Sequence, residues 1–296
     1  MGIALSIAGM LSFATNILLT RYALARMPLE AGFFIVLTVN TLFPAILFGG
    51  ELALREAPWT WDWTNAGLFA LAGIIGTFVG RRMLFDAVKL LGPARASVFH
   101  STAPIFALIG AWLFAQERLG AYELAIVVVV MVGLLCTQPR ATYTSKNADA
   151  AALRGGMLAG IVAVAGFGMS NVVRGIAVRV WNEPVLGAAL ASFTALAAQV
   201  AVTRGWSVIG AQLRKADRTA LLLYAGCGVA TTFGSIFLAT AMRHMEIALA
   251  VLVVHSTPLV IFPVSVFVLR NREEVTGRTV MGAFLVLTGI LLLTLR

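Results

Sequence analysis

Charged side chains are scarce in this chain, at 12% of its 296 residues, whereas a soluble globular domain carries about 25%. Hydrophobic residues make up 60% of the sequence, and the mean hydropathy is +0.93. So much apolar surface cannot be enclosed in one core surrounded by water, which excludes a soluble domain. The solvent around most of the chain must therefore be lipid.

Chemistry-bearing motifs are missing as well. The two cysteines, Cys136 and Cys227, each lie within a long apolar run and show neither a disulfide pattern nor metal-ligand spacing. The sequence contains no HExxH and no GxSxG motif, and its deep histidines have no acidic partners at the same depth. We therefore expect a protein that is not an enzyme and that holds no metal and no cofactor.

Long apolar runs fill most of the sequence. They have the length of about 20 residues at which a helix crosses a bilayer core of about 30 Å. The first run is too long for a cleaved signal peptide, and we interpret it as a membrane span. The sequence predicts an all-α polytopic membrane protein. Its ten predicted spans, numbered 1 to 10, are residues 3–24, 31–50, 65–86, 94–115, 120–138, 155–178, 184–204, 218–242, 247–269 and 275–295.

The chain contains an internal repeat. A shift of 154 positions aligns Gly80 with Gly234 and Pro104 with Pro258. Each half has five predicted spans, an odd number, so the second half must enter the membrane the other way up. We predict a first five-helix repeat at residues 1–138, a polar linker at 139–154 and an inverted second repeat at 155–296.

The net charge of +9 does not indicate nucleic-acid binding, because the 22 lysines and arginines are mostly scattered through short loops. The more basic connections follow spans 1, 3, 7 and 9 or form the central linker, and the predicted topology places all of these on one side. The positive-inside rule assigns that side to the cytoplasm. Both termini are then expected outside.

Two similar polar motifs, VFHSTAP and VVHSTP, interrupt the apolar runs of spans 4 and 9. They contain His100, Ser101 and Pro104 in the first half, and His255, Ser256 and Pro258 in the second. Each proline should kink its helix, while neighbouring Ser and Thr hydroxyls can satisfy the freed carbonyls. The histidines are either functional groups facing the bundle interior or neutral imidazoles bonded to a neighbouring helix.

Few other polar side chains lie at membrane depth. Asn16 and Asn171 occupy spans 1 and 6, and Asn40 lies in span 2, where each can line a cavity or tie helices together. No Asp or Glu lies in the central part of a predicted span. Because proton-coupled pumps carry carboxylate relays at that depth, the sequence favours uncoupled or weakly coupled transport.

Glycine and proline mark positions where helices can pack closely or move. Spacings such as that of Gly76 and Gly80 let helix backbones touch, and the same residues offer little resistance to sliding. The hinge candidates are the two prolines and the two aligned glycines: Pro104, Pro258, Gly80 and Gly234.

Each predicted repeat ends with a helix pair that carries proline, glutamate and glycine in that order. These residues are Pro104, Glu117 and Gly133 in the first half, and Pro258, Glu273 and Gly289 in the second. With its five-plus-five spans, the chain resembles the EamA-type family of the drug/metabolite transporter superfamily. Its overall pattern is similar to that of the YddG-like exporters of aromatic amino acids. The resemblance covers nearly the whole chain.

The resemblance implies an exporter of amino acids and related metabolites in a bacterial-type inner membrane, working by alternating access. It implies a central cavity lined by spans 1, 3, 4, 6, 8 and 9, with spans 5 and 10 peripheral. The candidate substrate-binding residues are Asn16, Asn40, His100, Ser101, Asn171, His255 and Ser256. The candidates for an apolar wall are Phe78, Phe85, Phe99, Phe233 and Phe237.

Two alternative functions are compatible with the same fold. A cationic-drug exporter is disfavoured by the missing carboxylate at depth. A carrier of phosphorylated or nucleotide-sugar metabolites would need deep basic residues, for which Arg21, Arg81 and Arg174 are candidates. The expected partners are a small-molecule substrate and the lipid bilayer, with the chain as a monomer or weak homodimer.

Overall fold

A computed structural model describes residues 1–56, 59–138, 150–264 and 276–295. All regular secondary structure in these residues is helical, which confirms the all-α prediction. The helices are α1 (Gly2–Leu24), α2 (Leu29–Leu54), α3 (Trp63–Ala72), a π-helical segment (Gly73–Gly80), α4 (Arg81–Leu91), α5 (Pro93–Ser101), α6 (Ala103–Phe114), α7 (Ala121–Thr137), α8 (Ala150–Val180), α9 (Pro184–Val202), α10 (Trp206–Lys215), α11 (Arg218–Ala241), α12 (Ile247–His255), α13 (Pro258–Pro263) and α14 (Gly277–Thr294).

The described residues form eight helical segments that are long and apolar enough to cross a membrane. Two shorter apolar segments, Ala121–Thr137 and Ile247–Pro263, occupy the positions of predicted spans 5 and 9. The chain is therefore a polytopic membrane protein. Residues 139–149, most of the predicted linker, lie outside the described residues, and so does Glu273.

Helix α10 was not predicted. Its ten residues are too few and too polar to span a bilayer, so a search for apolar runs passes over them. Trp206 lies against Phe34 of α2, with ring centroids 5.1 Å apart, and Ile209 is buried. Its last turn carries Arg214 and Lys215, which adds charge to the more basic side.

Two aspartates fix the starts of corresponding helices in the two halves. The Asn65 backbone N–H donates to Asp62 ahead of α3 (3.1 Å), and the Ala220 N–H donates to Asp217 ahead of α11 (2.7 Å). These bonds favour the charged carboxylates and hold the pKa of both groups below its usual range. Asp217 also pairs with Arg26 (2.7 Å), which joins the loop after α1 to the start of α11.

Glycines allow the π-helical segment to pack directly against α8 and α9. A Cβ atom at Gly73 would overlap the backbone of Ala191 in α9, and one at Gly76 would overlap the Ser170 side chain in α8. At Gly80 the added carbon would lie 3.2 Å from the Phe167 ring. The expectation that these glycines let helices touch is confirmed.

Hydroxyl groups from the same neighbours bond to backbone carbonyls just before the π-helical segment. Ser170 donates to the Ala72 carbonyl (2.7 Å), and Thr194 donates to the Ala70 carbonyl (3.0 Å). A change from α to π turns disturbs the regular ladder of helical hydrogen bonds. Because lipid offers no partners, these bonds across helices help to satisfy the backbone at that junction.

Both proline motifs interrupt their helices, as predicted. Pro104 lies in the first turn of α6, directly after the break at Thr102, and Pro258 begins α13. The Thr102 hydroxyl donates to the Phe99 carbonyl (2.7 Å), and the Ser256 hydroxyl donates to a carbonyl one turn back in α12 (3.0 Å). The predicted satisfaction of carbonyls near the break by Ser and Thr is thus confirmed.

The Glu117 carboxylate links the end of α6 to α8 and α12. This contact lies at the end of the bundle opposite the Arg26–Asp217 pair. Glu117, which follows α6, accepts hydrogen bonds from the backbone N–H groups of Ile247 (2.8 Å) and Ala248 (3.4 Å) at the start of α12. It also pairs with Arg179 of α8 (2.6 Å). A carboxylate at a helix N-terminus is stabilised by the N–H groups and by the helix dipole.

We expect Gly73→Ala to destabilise the folded protein, because the added carbon meets backbone that cannot rotate away. Overpacking of this kind costs about 1–3 kcal/mol. The matched control is Gly67→Ala in α3, where nothing lies within 4 Å of the added carbon. Thermal unfolding in detergent should show a lower Tm for the first variant only. Equal Tm values would contradict the close packing of the π-helical segment on α9.

Candidate functional site

A cavity of about 270 Å³ lies in the middle of the bundle. It is lined by residues of α1, the π-helical segment with α4, α5, α8, α11 and α12 with the turn that follows. These helices correspond to predicted spans 1, 3, 4, 6, 8 and 9, the six that the family resemblance implied. The polar side chains that line this central cavity are Asn16, Arg81, His100, Ser170, Asn171, Arg174, Thr231, Ser235, His255 and Thr257.

The two polar motifs meet at this cavity through their histidines. The His100 and His255 ring centroids are 5.6 Å apart, and His100 also contacts the Phe167 ring at 5.3 Å. His255 Nδ1 lies 3.0 Å from the Val251 carbonyl, one turn back in its own helix. That carbonyl only accepts, so Nδ1–H donates, and Nε2 remains as an acceptor in the neutral ring. A bond of His255 to a neighbouring helix, the structural alternative, is not among the contacts of the described residues.

Two arginines face the central cavity without a carboxylate beside them. Arg174 is 8% exposed, and the Nε atoms of both Arg174 and Arg81 are buried with no hydrogen-bond partner among the described residues. The Arg81 guanidinium lies over the Phe33 ring, 5.0 Å from its centroid. None of the described residues lining the cavity is acidic. Arg21, the third candidate, is exposed near the end of α1 and does not line this cavity.

The two predicted asparagines of spans 1 and 6 also line the central cavity. Asn16 accepts a weak hydrogen bond from Thr20 (3.4 Å), one turn further along α1. Asn171 is 9% exposed and follows Ser170, whose hydroxyl is already bonded to α3. The site therefore offers amide, imidazole and guanidinium groups, which together suit a small ligand that carries oxygen acceptors.

Three candidate residues do not line the central cavity. The Asn40 amide lies 2.9 Å from the Thr231 hydroxyl and joins α2 to α11. Ser101 accepts from Gln138 at the end of α7 (2.7 Å), and Ser256 is fully buried with its hydroxyl bonded within α12. Their contacts are those of helix packing, and the substrate contact predicted for them finds no support in this geometry.

Comparison with protein families shows to which one this chain belongs. The model of the EamA-like transporter family matches residues 1–137 and 154–295. The chain belongs to the EamA-like transporter family. It is a multi-pass membrane transporter, in agreement with the expected non-enzymatic role.

One known protein and one solved structure are similar to most of this chain. The pseudopaline exporter CntI of Pseudomonas aeruginosa (strain UCBPP-PA14) is 25% identical over 245 residues, which cover 82% of this chain and 78% of that protein. A solved crystal structure with 18% sequence identity superposes with a TM-score of 0.74, covering 99% of this chain and 96% of the other. At that identity the superposition shows a shared fold only.

The hinge candidates of this EamA-like transporter lie at close helix contacts. Gly80 packs on α8, and a Cβ at Gly234 would lie 2.9 Å from the Phe13 ring. Pro104 and Pro258 lie at the helix breaks that flank the histidines. Their role as hinges stays a prediction.

The aromatic wall is only partly the one predicted. Phe85 lines the central cavity, together with Phe13 and Phe167, which were not predicted. The other four predicted phenylalanines do not line the central cavity: Phe78, Phe99, Phe233 and Phe237. Their rings contact other helices or point away from the bundle.

A second cavity of about 660 Å³ adjoins the first on the more basic side, and we call it the vestibule. Phe85 lines both cavities, and its ring meets that of Phe33 edge-on with centroids 5.9 Å apart. Glu30, Lys89 and Arg204 line the vestibule, which places it at the face where the connections after predicted spans 1, 3 and 7 lie. Phe85 thus borders both cavities, and Phe33 borders the vestibule only.

We expect cysteine labelling to separate cavity residues from packing residues. Asn171 and Asn40 are both 9% exposed, but only Asn171 lines the central cavity. In a Cys136→Ser, Cys227→Ser background, Asn171→Cys should react with a small water-soluble methanethiosulfonate at least about tenfold faster than Asn40→Cys, because the reactive thiolate needs water. Equal rates would mean that the cavity is not accessible to water.

Proposed function

We propose that this chain is a secondary transporter that exports amino acids and related small metabolites through the central cavity. Ten spans would form two inverted five-helix repeats that rock about the site and expose it to each side in turn. The observation that carries the proposal is the convergence of polar groups from both halves on one cavity. Asn16 and His100 come from the first half, and Asn171 and His255 come from the second.

The spacing of these residues supports the repeat. Asn16 and Asn171 are 155 positions apart in the sequence, and so are His100 and His255. The helix-capping aspartates, Asp62 and Asp217, have the same separation, although they lie outside the cavity. This separation differs by one residue from the shift of 154 that aligns Gly80 with Gly234 and Pro104 with Pro258, so the two halves correspond closely but not in a single register.

Contacts between loops support the proposed orientation. Arg26 pairs with Asp217, and Lys89 with Glu30 (3.3 Å), so connections after spans 1, 3 and 7 meet on one face. Helix α10 adds its basic last turn after span 7. By the positive-inside rule this face is cytoplasmic, and both termini are outside. Export from the cytoplasm through an inner membrane would then begin at the vestibule.

Two closures follow from this orientation. The Phe33–Phe85 pair separates the central cavity from the vestibule, and the Glu117–Arg179 pair with α12 holds the opposite end together. Alternating access requires that one of these closures opens while the other stays shut. None of the described residues that line the central cavity is a carboxylate that could relay protons, which supports uncoupled or weakly coupled transport.

Charge distinguishes the alternative substrates. Arg81 and Arg174 make the central cavity positive, which opposes a cationic drug. The same arginines favour a carrier of phosphorylated metabolites, our second candidate function, because guanidinium groups bind phosphate well. The similarity to a pseudopaline exporter favours export of a small metabolite in either case.

We expect purified protein in liposomes to take up labelled L-glutamate, L-phenylalanine or L-threonine to equilibrium without a pH gradient. Ser235→Trp should abolish this uptake, because Ser235 lines a cavity of only about 270 Å³. Phe284→Trp on the exposed side of α14 is the matched control and should transport normally.

Uptake that appears only with a pH gradient would contradict weak coupling. Movement of a quaternary-ammonium dye alone would replace amino-acid export with drug export. Normal uptake by Ser235→Trp would show that the substrate does not pass through the central cavity.

A further inference from the structure

We infer that the substrate of the central cavity carries at least two anionic groups, carboxylate or phosphate, and that Arg81 and Arg174 bind them. This inference rests on the proposed function, because it names the substrate class of the same cavity. It differs from a general amino-acid specificity, since most amino acids offer one carboxylate only.

Arg174 is a buried arginine for which the described residues provide no hydrogen-bond acceptor. It lies in the last two turns of α8, is 8% exposed and lines the central cavity. The buried Nε–H has no acceptor among the described residues. A guanidinium is always charged and has five N–H donors, so leaving it unpaired in a desolvated site is costly. An ionisable side chain at membrane depth marks a candidate functional site, and here a ligand would supply the missing acceptors.

Arg81 presents a second guanidinium to the same cavity from a different helix. It is the first residue after the π-helical segment, whose wider turns set which side chains of α4 face inward. The Phe33 ring lies under the guanidinium at 5.0 Å and holds it by a cation–π contact, which leaves its N–H groups for an acceptor. Its buried Nε also has no acceptor in the described part of the chain.

Three acidic residues at the ends of the bundle are engaged elsewhere, and Asp86 lines the vestibule rather than the central cavity. Glu117 is bonded to α12 and Arg179, Asp217 to Arg26 and the start of α11. Glu183 pairs with Arg55, the residue that follows α2 (2.6 Å). None of the described cavity-lining residues is acidic, so the two positive charges lack compensation from this part of the protein.

Two negative groups on the ligand would compensate the two positive charges. Each guanidinium fork matches one carboxylate or phosphate edge, and the forks belong to different helices. Asn16, Asn171 and the histidines then supply further hydrogen bonds to the body of the ligand. The cavity volume of about 270 Å³ limits this ligand to a small metabolite. An acidic amino acid and a phosphorylated amino acid both fit this description.

Equilibrium binding in detergent tests the inference without requiring transport. The probes are matched pairs that differ in one anionic group: L-glutamate against L-glutamine, and phosphoserine against serine. Wild-type protein should bind at least one dianionic probe about tenfold or more tightly than its partner. Arg174→Gln and Arg81→Gln should each weaken that binding about 10- to 100-fold, because each variant loses one charge-assisted contact. Each should also reduce the ratio of affinities between the dianionic probe and its partner.

Two further variants keep the test independent of folding. Arg174→Lys retains the charge without the fork and should bind the dianionic probe with intermediate affinity. Arg21→Gln removes an arginine that does not line the cavity and should bind as wild type does. A size-exclusion profile matching that of wild type qualifies each variant for comparison.

Three results would overturn the inference: equal affinity for both members of each pair, competition by acetate or chloride as strong as that by the dianion, or unchanged binding in both Arg→Gln variants. The failure of the proposed function has a different signature. Arginine-dependent binding of a dianion with no flux of any probe across liposomes would leave the inference standing and remove the transporter mechanism proposed for it.

Discussion

In a lipid bilayer a polar group finds partners only inside the protein, and this constraint organises the structure. The helix breaks at the two prolines lie next to the central cavity, with hydroxyl side chains bonded to carbonyls in the preceding turns. The π-helical segment is tolerated because Ser170 and Thr194 bond to the backbone before it. Glycines at these crossings bring helices close enough for such bonds to form.

The same constraint explains why the unpaired polar groups of the central cavity indicate a ligand. Apolar packing surrounds a small space in which guanidinium, imidazole and amide groups converge, and the described residues bring no negative charge to it. An anionic substrate would supply the missing charge and would be passed between two closures of different chemistry. One is the aromatic contact of Phe33 and Phe85, and the other is the ionic contact of Glu117 with Arg179.

Much of this architecture can be predicted from sequence, because membrane spans and proline breaks are local signals. His100, His255, Asn16 and Asn171 were also predicted to line a cavity, from their depth and from a family resemblance. Arg81 was predicted only as a candidate for the alternative carrier of phosphorylated metabolites. The π-helical segment just before it sets which side chains of α4 face the cavity, and 3.6-residue periodicity does not anticipate that change of phase. Whether a deep asparagine such as Asn40 packs or faces a cavity depends on helix rotation, which apolar composition does not encode.

The most direct test is a solid-state NMR measurement of dipolar contact between ligand and arginine. L-glutamate carrying carbon-13 at both carboxylates would be added to protein labelled with nitrogen-15 at arginine, reconstituted in lipid. If the cavity binds both anionic groups, both carboxylate carbons will lie in hydrogen-bonding range of guanidinium nitrogens, and Arg174→Gln will remove the contact to one of them. Contact at neither carbon, or the same contacts in that variant, would contradict a central cavity built to bind two anionic groups.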